Sequence, residues 1–304
     1  MPARSSRTAE LMAVQRALES ARPRSSRLFR DAFARYFVSR RWRLVVGASR
    51  VAAVRRAVEV LYDRVAGPGP RASAVARTRL IDDLVTDARS WIGQLVILGA
   101  GFDARAYRLP GLEQVTVFEV DHPATQQAKR EVLGRVLAGI VEGDPLGWHV
   151  RFVPVDFERD DLGRALRAAG YRDGERSLFV WEGVTNYLTP AAVDQTLGAV
   201  RGLAATAAGS LLVFTYVDRA VLAGDRSRFP EARRWVEGVR RRGEPWRFGL
   251  DPAEVSEFLS HRGFGLIGDV STAEAGERYF RPLGRRERGS ALYHVVTASV
   301  LAKA

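Results

Sequence analysis

The stretch "VILGAGFDARAYRL", Val96 to Leu109, decides the fold. It starts as an apolar strand and breaks into Gly99-Ala100-Gly101, with Asp103 and Arg105 just behind. Two glycines separated by one residue at the end of a strand let the backbone come close to a ligand. The run formally fits the dinucleotide pattern GxGxxA, with Ala104 as the small third residue. Three occupants are open at this point: the pyrophosphate of a dinucleotide, the amino-acid end of another nucleoside cofactor, or nothing.

Outward from this turn the chain alternates apolar strands with helical stretches. The strands read as 95–98, 115–120, 150–155, 178–181 and 211–216, and the helices between them as 123–137, 160–169 and 190–203. Thr189-Pro190 is a helix start, a capping hydroxyl followed by proline in the first turn. Continuous apolar strands linked by helices predict a parallel sheet covered on both faces. Two further strands, 265–270 and 292–301, close the chain and predict an antiparallel edge. Residues 1–90 read as mostly helical: 26–38 and 52–62 carry apolar side chains at helical spacing, and "GPGP" at 67–70 then breaks the chain. A further helix, capped by Ser73, runs to about Trp91. Residues 221–242 form a polar, arginine-rich helical segment, and Asp251-Pro252 starts a helix ending near Gly263. The expected division is therefore an N-terminal helical cap (1–90), a core (91–220), a helical lid insertion (221–263) and C-terminal strands that complete the sheet (264–304).

In such sheets the ligand crevice lies outside the carboxyl ends of the strands, so the residues following each strand matter most. Asp121 ends strand two, 20 residues beyond Gly101, where an acid accepts from ribose hydroxyls. Asp156 and Phe157 end strand three, where a carboxylate and a backbone N–H can read adenine. Glu182 follows "LFVW" and suits a cationic group such as an ammonium or a sulfonium. Each acid alone could be a cap or the partner of an arginine; together they form a constellation. Asp103 would repel a pyrophosphate inside the turn. One adenosine with an amino-acid tail fits better, and S-adenosylmethionine is the obvious candidate.

The bulk properties narrow the classes. The 304 residues contain no cysteine, which excludes disulfides, thiolate nucleophiles and cysteine zinc sites, and fits a reducing cytoplasm. No metal site is expected. No apolar run approaches a membrane span, and "MPARSSRTAE" lacks the apolar core of a signal peptide, so neither membrane nor export is expected. The net charge of +12 is almost all arginine, with lysine only at Lys129 and Lys303. The arginines are scattered and their local runs lack interleaved aromatics, so nucleic acid is not the expected partner.

The motifs "LGAGFDARAYRL", "FEVDHP", "PVDFERDDL" and "WEGVTNYLT" resemble the leucine carboxyl methyltransferase superfamily, as do "SAVARTRLIDDL", "GEPWRFGLDP" and "RYFRP". The resemblance runs from about Ala32 to the end and is to the actinobacterial members, some of which act in polyketide tailoring. It implies an α/β, Rossmann-like class I methyltransferase fold: a mostly parallel seven-stranded sheet with an antiparallel edge strand, plus the helical caps. It also implies S-adenosylmethionine as cofactor. Arg77 would hold the methionine carboxylate, and Gly99, Ala100 and Gly101, with Asp103, the methionine part. Asp121 and the neighbouring His122 would border the ribose, Asp156 and Phe157 the adenine, and Glu182 the ammonium and sulfonium end. Tyr187 would line the substrate side, and Tyr216, Arg247, Arg278 and Tyr279 are candidates for orienting an acid.

The implied reaction is a one-step displacement on an activated methyl group. A carboxylate nucleophile is ionised at neutral pH and needs no general base, whereas a phenol, at a pKa of about 10, would be helped by one. None of His122, His149, His261 and His294 stands in an evident base motif, and no general base is assigned. The expected substrate is a small metabolite bearing a carboxylate, of secondary metabolism or polyketide tailoring. The alternatives are a hydroxyl or phenol acceptor, an NAD-dependent oxidoreductase, and a noncatalytic cofactor-binding module.

Overall fold

The computed structural model describes residues 7–137, 149–225 and 227–301. The N-terminal part contains α1 (Arg7–Ser20), α2 (Arg40–Ala48), α3 (Ala52–Ala66) and α4 (Pro70–Ala88). Then come β1 (Gln94–Leu98), α5 (Arg105–Arg108), β2 (Thr116–Asp121), α6 (Pro123–Leu137), β3 (Val150–Pro154), α7 (Leu162–Ala168), β4 (Ser177–Trp181), α8 (Pro190–Ala204) and β5 (Leu211–Val217). The chain continues through α9 (Arg219–Leu222), α10 (Ala232–Arg241), α11 (Val255–Ser260), β6 (Phe264–Ser271), α12 (Thr272–Phe280) and β7 (Tyr293–Val300). Among the described residues no helix is long and apolar enough to cross a membrane.

The seven strands form one sheet in the order β3-β2-β1-β4-β5-β7-β6. The first five are parallel, and β7 runs antiparallel to both β5 and β6, so the antiparallel strand lies one place inside the edge. The order reverses at β1, which pairs β2 on one side and β4 on the other. A crevice opens there, at the carboxyl ends of β1 and β4.

Strand residues alternate between two buried faces. Val96, Leu98, Phe179, Trp181 and Phe214 pack with Leu166, Val193, Leu197 and Leu259 from α7, α8 and α11. Leu95, Ile97, Leu178, Val180 and Val213 pack with Val75, Leu80, Ile81 and Val85 of α4, and with Phe280 of α12. Burial on both sides explains why the strands read as continuous apolar runs. The segment 251–263, expected within the lid, instead supplies Val255 and Leu259 to the sheet core.

Several sequence expectations change. Residues 26–38 hold only a short 3₁₀ turn at Ala34–Tyr36. The Asp31 carboxylate accepts from the N–H groups of Phe33 (3.0 Å) and Ala34 (2.9 Å), a local turn that competes with a helix. The apolar side chains of the segment are still buried, but in two clusters: Leu28 and Phe29 against α4, Phe37 and Val38 against α1. Ser73 does not cap α4, which starts at Pro70 behind Gly69. Its hydroxyl accepts instead from Thr272 Oγ1 (2.8 Å) and Ser290 N (2.9 Å), tying α4 to the C-terminal segment. The helix expected over 221–242 is interrupted between α9 and α10. Thr189 caps α8 as expected, accepting from Ala192 N at 3.2 Å.

Candidate functional site

A cavity of about 500 Å³ opens at the topological switch. Its floor is the turn after β1. Gly99 (φ 70°) and Gly101 (φ 46°) are left-handed, a conformation that disfavours side chains. A Cβ on Gly99 would also drive into Val184 Cγ2. The N–H groups of Gly99 and Ala100 donate to Val120 O at 2.8 and 2.9 Å, which fixes the turn against β2.

Asp121 closes that turn from the other side. One carboxylate oxygen accepts from Gly101 N, the other from His122 N at 2.6 Å. Burial raises its pKa, partly countered by these two backbone donors. His122 also lines the cavity, and its Nδ1 accepts from Ala124 N (3.3 Å) at the start of α6. Asp156 and Phe157 form the wall after β3: Asp156 accepts from Glu158 N (3.1 Å), and Phe157 lies 6.4 Å from Trp181.

Glu182 is the hub of the wall after β4. Its carboxylate accepts from Arg77 Nε and from Arg105 Nη1, each at 2.7 Å. Burial pushes its pKa up, but Arg105 and Arg77 outweigh burial and hold it below the ordinary value. Arg105, only 2% exposed, also pairs with Asp82 (2.8 Å) and Asp103. The Asp103 carboxyl is likewise held far below its ordinary pKa, against burial, chiefly by Arg105 and then Lys129. The chain of pairs continues through Asp82 to Arg108, and Arg108 lies 3.8 Å from Asp31, which Arg16 meets at 2.9 Å. Two of the acids that read as ligand contacts, Glu182 and Asp103, are thus also partners in one buried ionic network. Arg77 reaches Glu182 through Nε, its Nη2 contacts Met12 Sδ at 3.5 Å and its guanidinium lies 4.8 Å over the Tyr293 ring; its outer edge can fork onto a carboxylate.

On the acceptor side, Tyr187 lies in a 3₁₀ turn and lines the cavity. Burial first, then Tyr293, pushes its pKa up to about 12, so it remains a donor at neutral pH. Arg247 lines the rim; its backbone N–H donates to Asn186 O (2.7 Å) and its Nη1 to Glu158 (2.8 Å). Three expected substrate residues are elsewhere. Tyr216 is fully buried, donates to Asp269 at 2.6 Å and stacks on His294 at 4.9 Å. Tyr279 donates to Asp83 (2.8 Å), tying α12 to α4, and Arg278 lies over the Tyr279 ring. None of the three lines the cavity.

A cover from the N-terminal helices and the lid segment was expected, but the α1 residues that form it were not singled out. Thr8, Ala9, Met12 and Arg16 of α1 line the cavity, and Thr8 Oγ1 donates to Glu244 across its mouth. Arg16 also donates to Phe102 O. Their spacing along a helix is the signal that was available. Among the described residues, no group of three or more His, Cys, Asp or Glu side chains is placed to hold a metal ion.

The family model for leucine carboxyl methyltransferase matches residues 9–201, well over half of the chain. Relatives in Mycobacterium sp. strain KMS (36% identical over 208 residues, 65% of this chain and 63% of that one) and Mycolicibacterium vanbaalenii (34% over 220 residues, 68% and 65%) are provisionally named S-adenosyl-L-methionine-dependent methyltransferases. The matches thus span less than two thirds of those relatives' length. A solved structure of a provisionally named methyltransferase from Thermobifida fusca YX shares the fold, with a TM-score of 0.56, 20% identity, and coverage of 82% of this chain and 89% of that one. The sheet is that of the class I methyltransferases, and the chain belongs to the leucine carboxyl methyltransferase family.

Proposed function

We propose that this protein transfers a methyl group from S-adenosylmethionine to a carboxylate oxygen of a small metabolite of secondary metabolism. The observation that carries the reading is the meeting of the left-handed glycine turn, Asp121, Asp156, Glu182 and Arg77 around one cavity. The residues fit the cofactor. Gly99 and Gly101 hold the left-handed turn that presents its backbone to the cavity. The Asp121 oxygens are oriented by two backbone donors and keep lone pairs for ribose hydroxyls. Asp156 and Phe157 border the adenine end, and Arg77 offers its outer edge to the methionine carboxylate. A pyrophosphate fits poorly: Asp103 is held ionised at the turn, and only the four-residue α5 follows it.

When bound, S-adenosylmethionine supplies an electrophilic methyl group. The protein's part is positioning. Tyr187, protonated at neutral pH, and Arg247 can orient an acceptor carboxylate; α1 and the 243–247 segment exclude water from above. Alignment of this kind can lower a barrier by about 7–11 kcal/mol. A carboxylate acceptor arrives ionised and needs no proton removed. A hydroxyl acceptor is the second reading, with Glu158 or Glu244 at the rim as its proton acceptor. Product mass after incubation with panels of acids and phenols decides between them: base-labile incorporation marks an ester and base-stable incorporation an ether. No transfer to any acid in the panel would overturn the carboxylate reading.

Asp121→Ala and Asp156→Ala should each weaken S-adenosylhomocysteine binding in calorimetry by about 1.5–3 kcal/mol, the loss of a charge-assisted hydrogen bond. Unchanged affinity in both would remove the cofactor from this rim. Arg77→Ala should weaken binding similarly while largely sparing the fold, because Glu182 keeps Arg105. Arg77→Lys should restore only part of the affinity, since an ammonium cannot fork. Full affinity in the lysine variant would show that the fork is not used.

A further inference from the structure

The α2–α3 hairpin is built inside out. No residue of α3 is fully buried. Its two acids turn inward: Glu59 meets Arg22 and Arg71, and Asp63 meets Arg71 at 2.9 Å. Its outer side is aliphatic. Leu61 is 62% and Val65 71% exposed, and Val54 and Ala57 share their face at helical spacing. Val51, just before α3, is 60% exposed, and Leu44 on α2 is 76% exposed. A single exposed aliphatic side chain is ordinary, but a contiguous set on one helix face marks a contact surface.

Charge limits what covers it. Between residues 39 and 66 the exposed charged residues are Arg40, Arg41, Arg43, Arg50, Arg56 and Arg64, with no exposed acid among them. A second copy would set these arginines against their own kind, on a chain of net charge +12. The face is a projecting helix rather than a groove. Its two aromatics, Trp42 and Tyr62, are half-buried, so it lacks the exposed aromatic anchors that dominate protein interfaces. An aliphatic stripe rimmed by arginine is the pattern of a helix that lies in the headgroup zone of a bilayer. We propose that the α2–α3 hairpin docks this protein on an anionic lipid surface, its aliphatic side chains entering the acyl boundary and its arginines meeting lipid phosphates. This revises the expectation of no membrane partner, which rested on span length; the contact is peripheral. The hairpin packs on α1, α4 and α10, and α1 and α4 line the cavity, so docking sets the covered site beside the bilayer.

The test is co-sedimentation of the full chain with vesicles of phosphatidylcholine alone and of equal parts phosphatidylcholine and phosphatidylglycerol. Binding to the mixed vesicles should exceed binding to the neutral ones at least ~10-fold and fall with added salt. Leu61→Asp combined with Val65→Asp should abolish it, and Arg56→Ser combined with Arg64→Ser should weaken it. All four positions are exposed, so circular dichroism and S-adenosylhomocysteine affinity should match the parent. Equal partition into both vesicle types, or unchanged binding by the double aspartate variant, would overturn the proposal. A concentration-dependent dimer in sedimentation equilibrium, lost in that variant, would assign the face to a second copy and overturn it as well.

Discussion

Arg105→Met should lower the unfolding free energy by about 3–5 kcal/mol at neutral pH, the cost of removing one partner from a buried ion pair. Arg105 meets Asp82, Asp103 and Glu182 at once and is 2% exposed. The three acids differ in what they would keep. Asp82 retains Arg108, at 2.7 Å, and Glu182 retains Arg77. Asp103 loses its direct cation and keeps only the backbone N–H of residue 105, at 2.7 Å. The deficit should depend on pH with a definite sign. In the parent, Asp103 and Glu182 have folded pKa values below their unfolded ones. Their stabilisation is present above the unfolded values, near 4, and is lost as pH falls through the folded ones. In the variant, burial acts on Asp103 without its largest opposing charge, so the gain in stability as pH rises through the carboxylate range is lost. Denaturant unfolding from about pH 4 to 8 should therefore show two curves that diverge with rising pH. A deficit below about 1 kcal/mol, or one independent of pH, would show that the network does not hold the rim together.

The strand ends were legible because a sheet buried on both faces writes its strands as unbroken apolar runs and its turns as glycine and acid. Gly99, Gly101, Asp121, Asp156 and Glu182 could be placed on one rim from topology alone, and all five line the cavity. The role of Arg105 could not be read. Arginine supplies all but two of the 47 basic residues, and spacing does not show which of them faces three carboxylates from α4, the β1 turn and β4. The same limit hid the contribution of α1, whose register against the crevice is fixed by packing of Ala13, Val14 and Ala17 on Phe37 and Phe102. Residues 26–38 misled because apolar spacing records burial, and a chain with an aspartate-capped turn can bury the same side chains without a helix. Tyr216 misled because polar aromatic residues near a strand end look like pocket residues; the side chain that satisfies its hydroxyl, Asp269, comes from β6, 53 residues away.

Lys129→Met carries the second large effect, and it tests the support under Asp121. Lys129 and Glu119 pair at 2.7 Å with both side chains 1% exposed. Glu119 lies two residues before Asp121 on the same face of β2. Burial, opposed mainly by Lys129, pushes the Glu119 carboxyl up to about 7. A folded pKa above the unfolded value means that the folded state holds the proton more tightly. Stability from this group therefore falls as pH rises from the unfolded value toward and through the folded one. Without the ammonium, that pKa must rise further. Lys129→Met should thus cost about 3–5 kcal/mol near pH 8 and much less near pH 5, where Glu119 is already neutral. Adding Glu119→Gln should recover most of the loss, because a neutral pair of similar shape carries no stranded charge. The double variant should also regain S-adenosylhomocysteine affinity, since Asp121 then stands over neutral side chains rather than a carboxylate with no counter-charge. A lysine variant as stable as the parent at the higher pH, or a double variant no better than the single one, would show that the pair does not govern the geometry of β2. If instead stability recovers while affinity does not, the positive charge of Lys129 acts on Asp121 directly, as its electrostatic influence on that carboxyl allows.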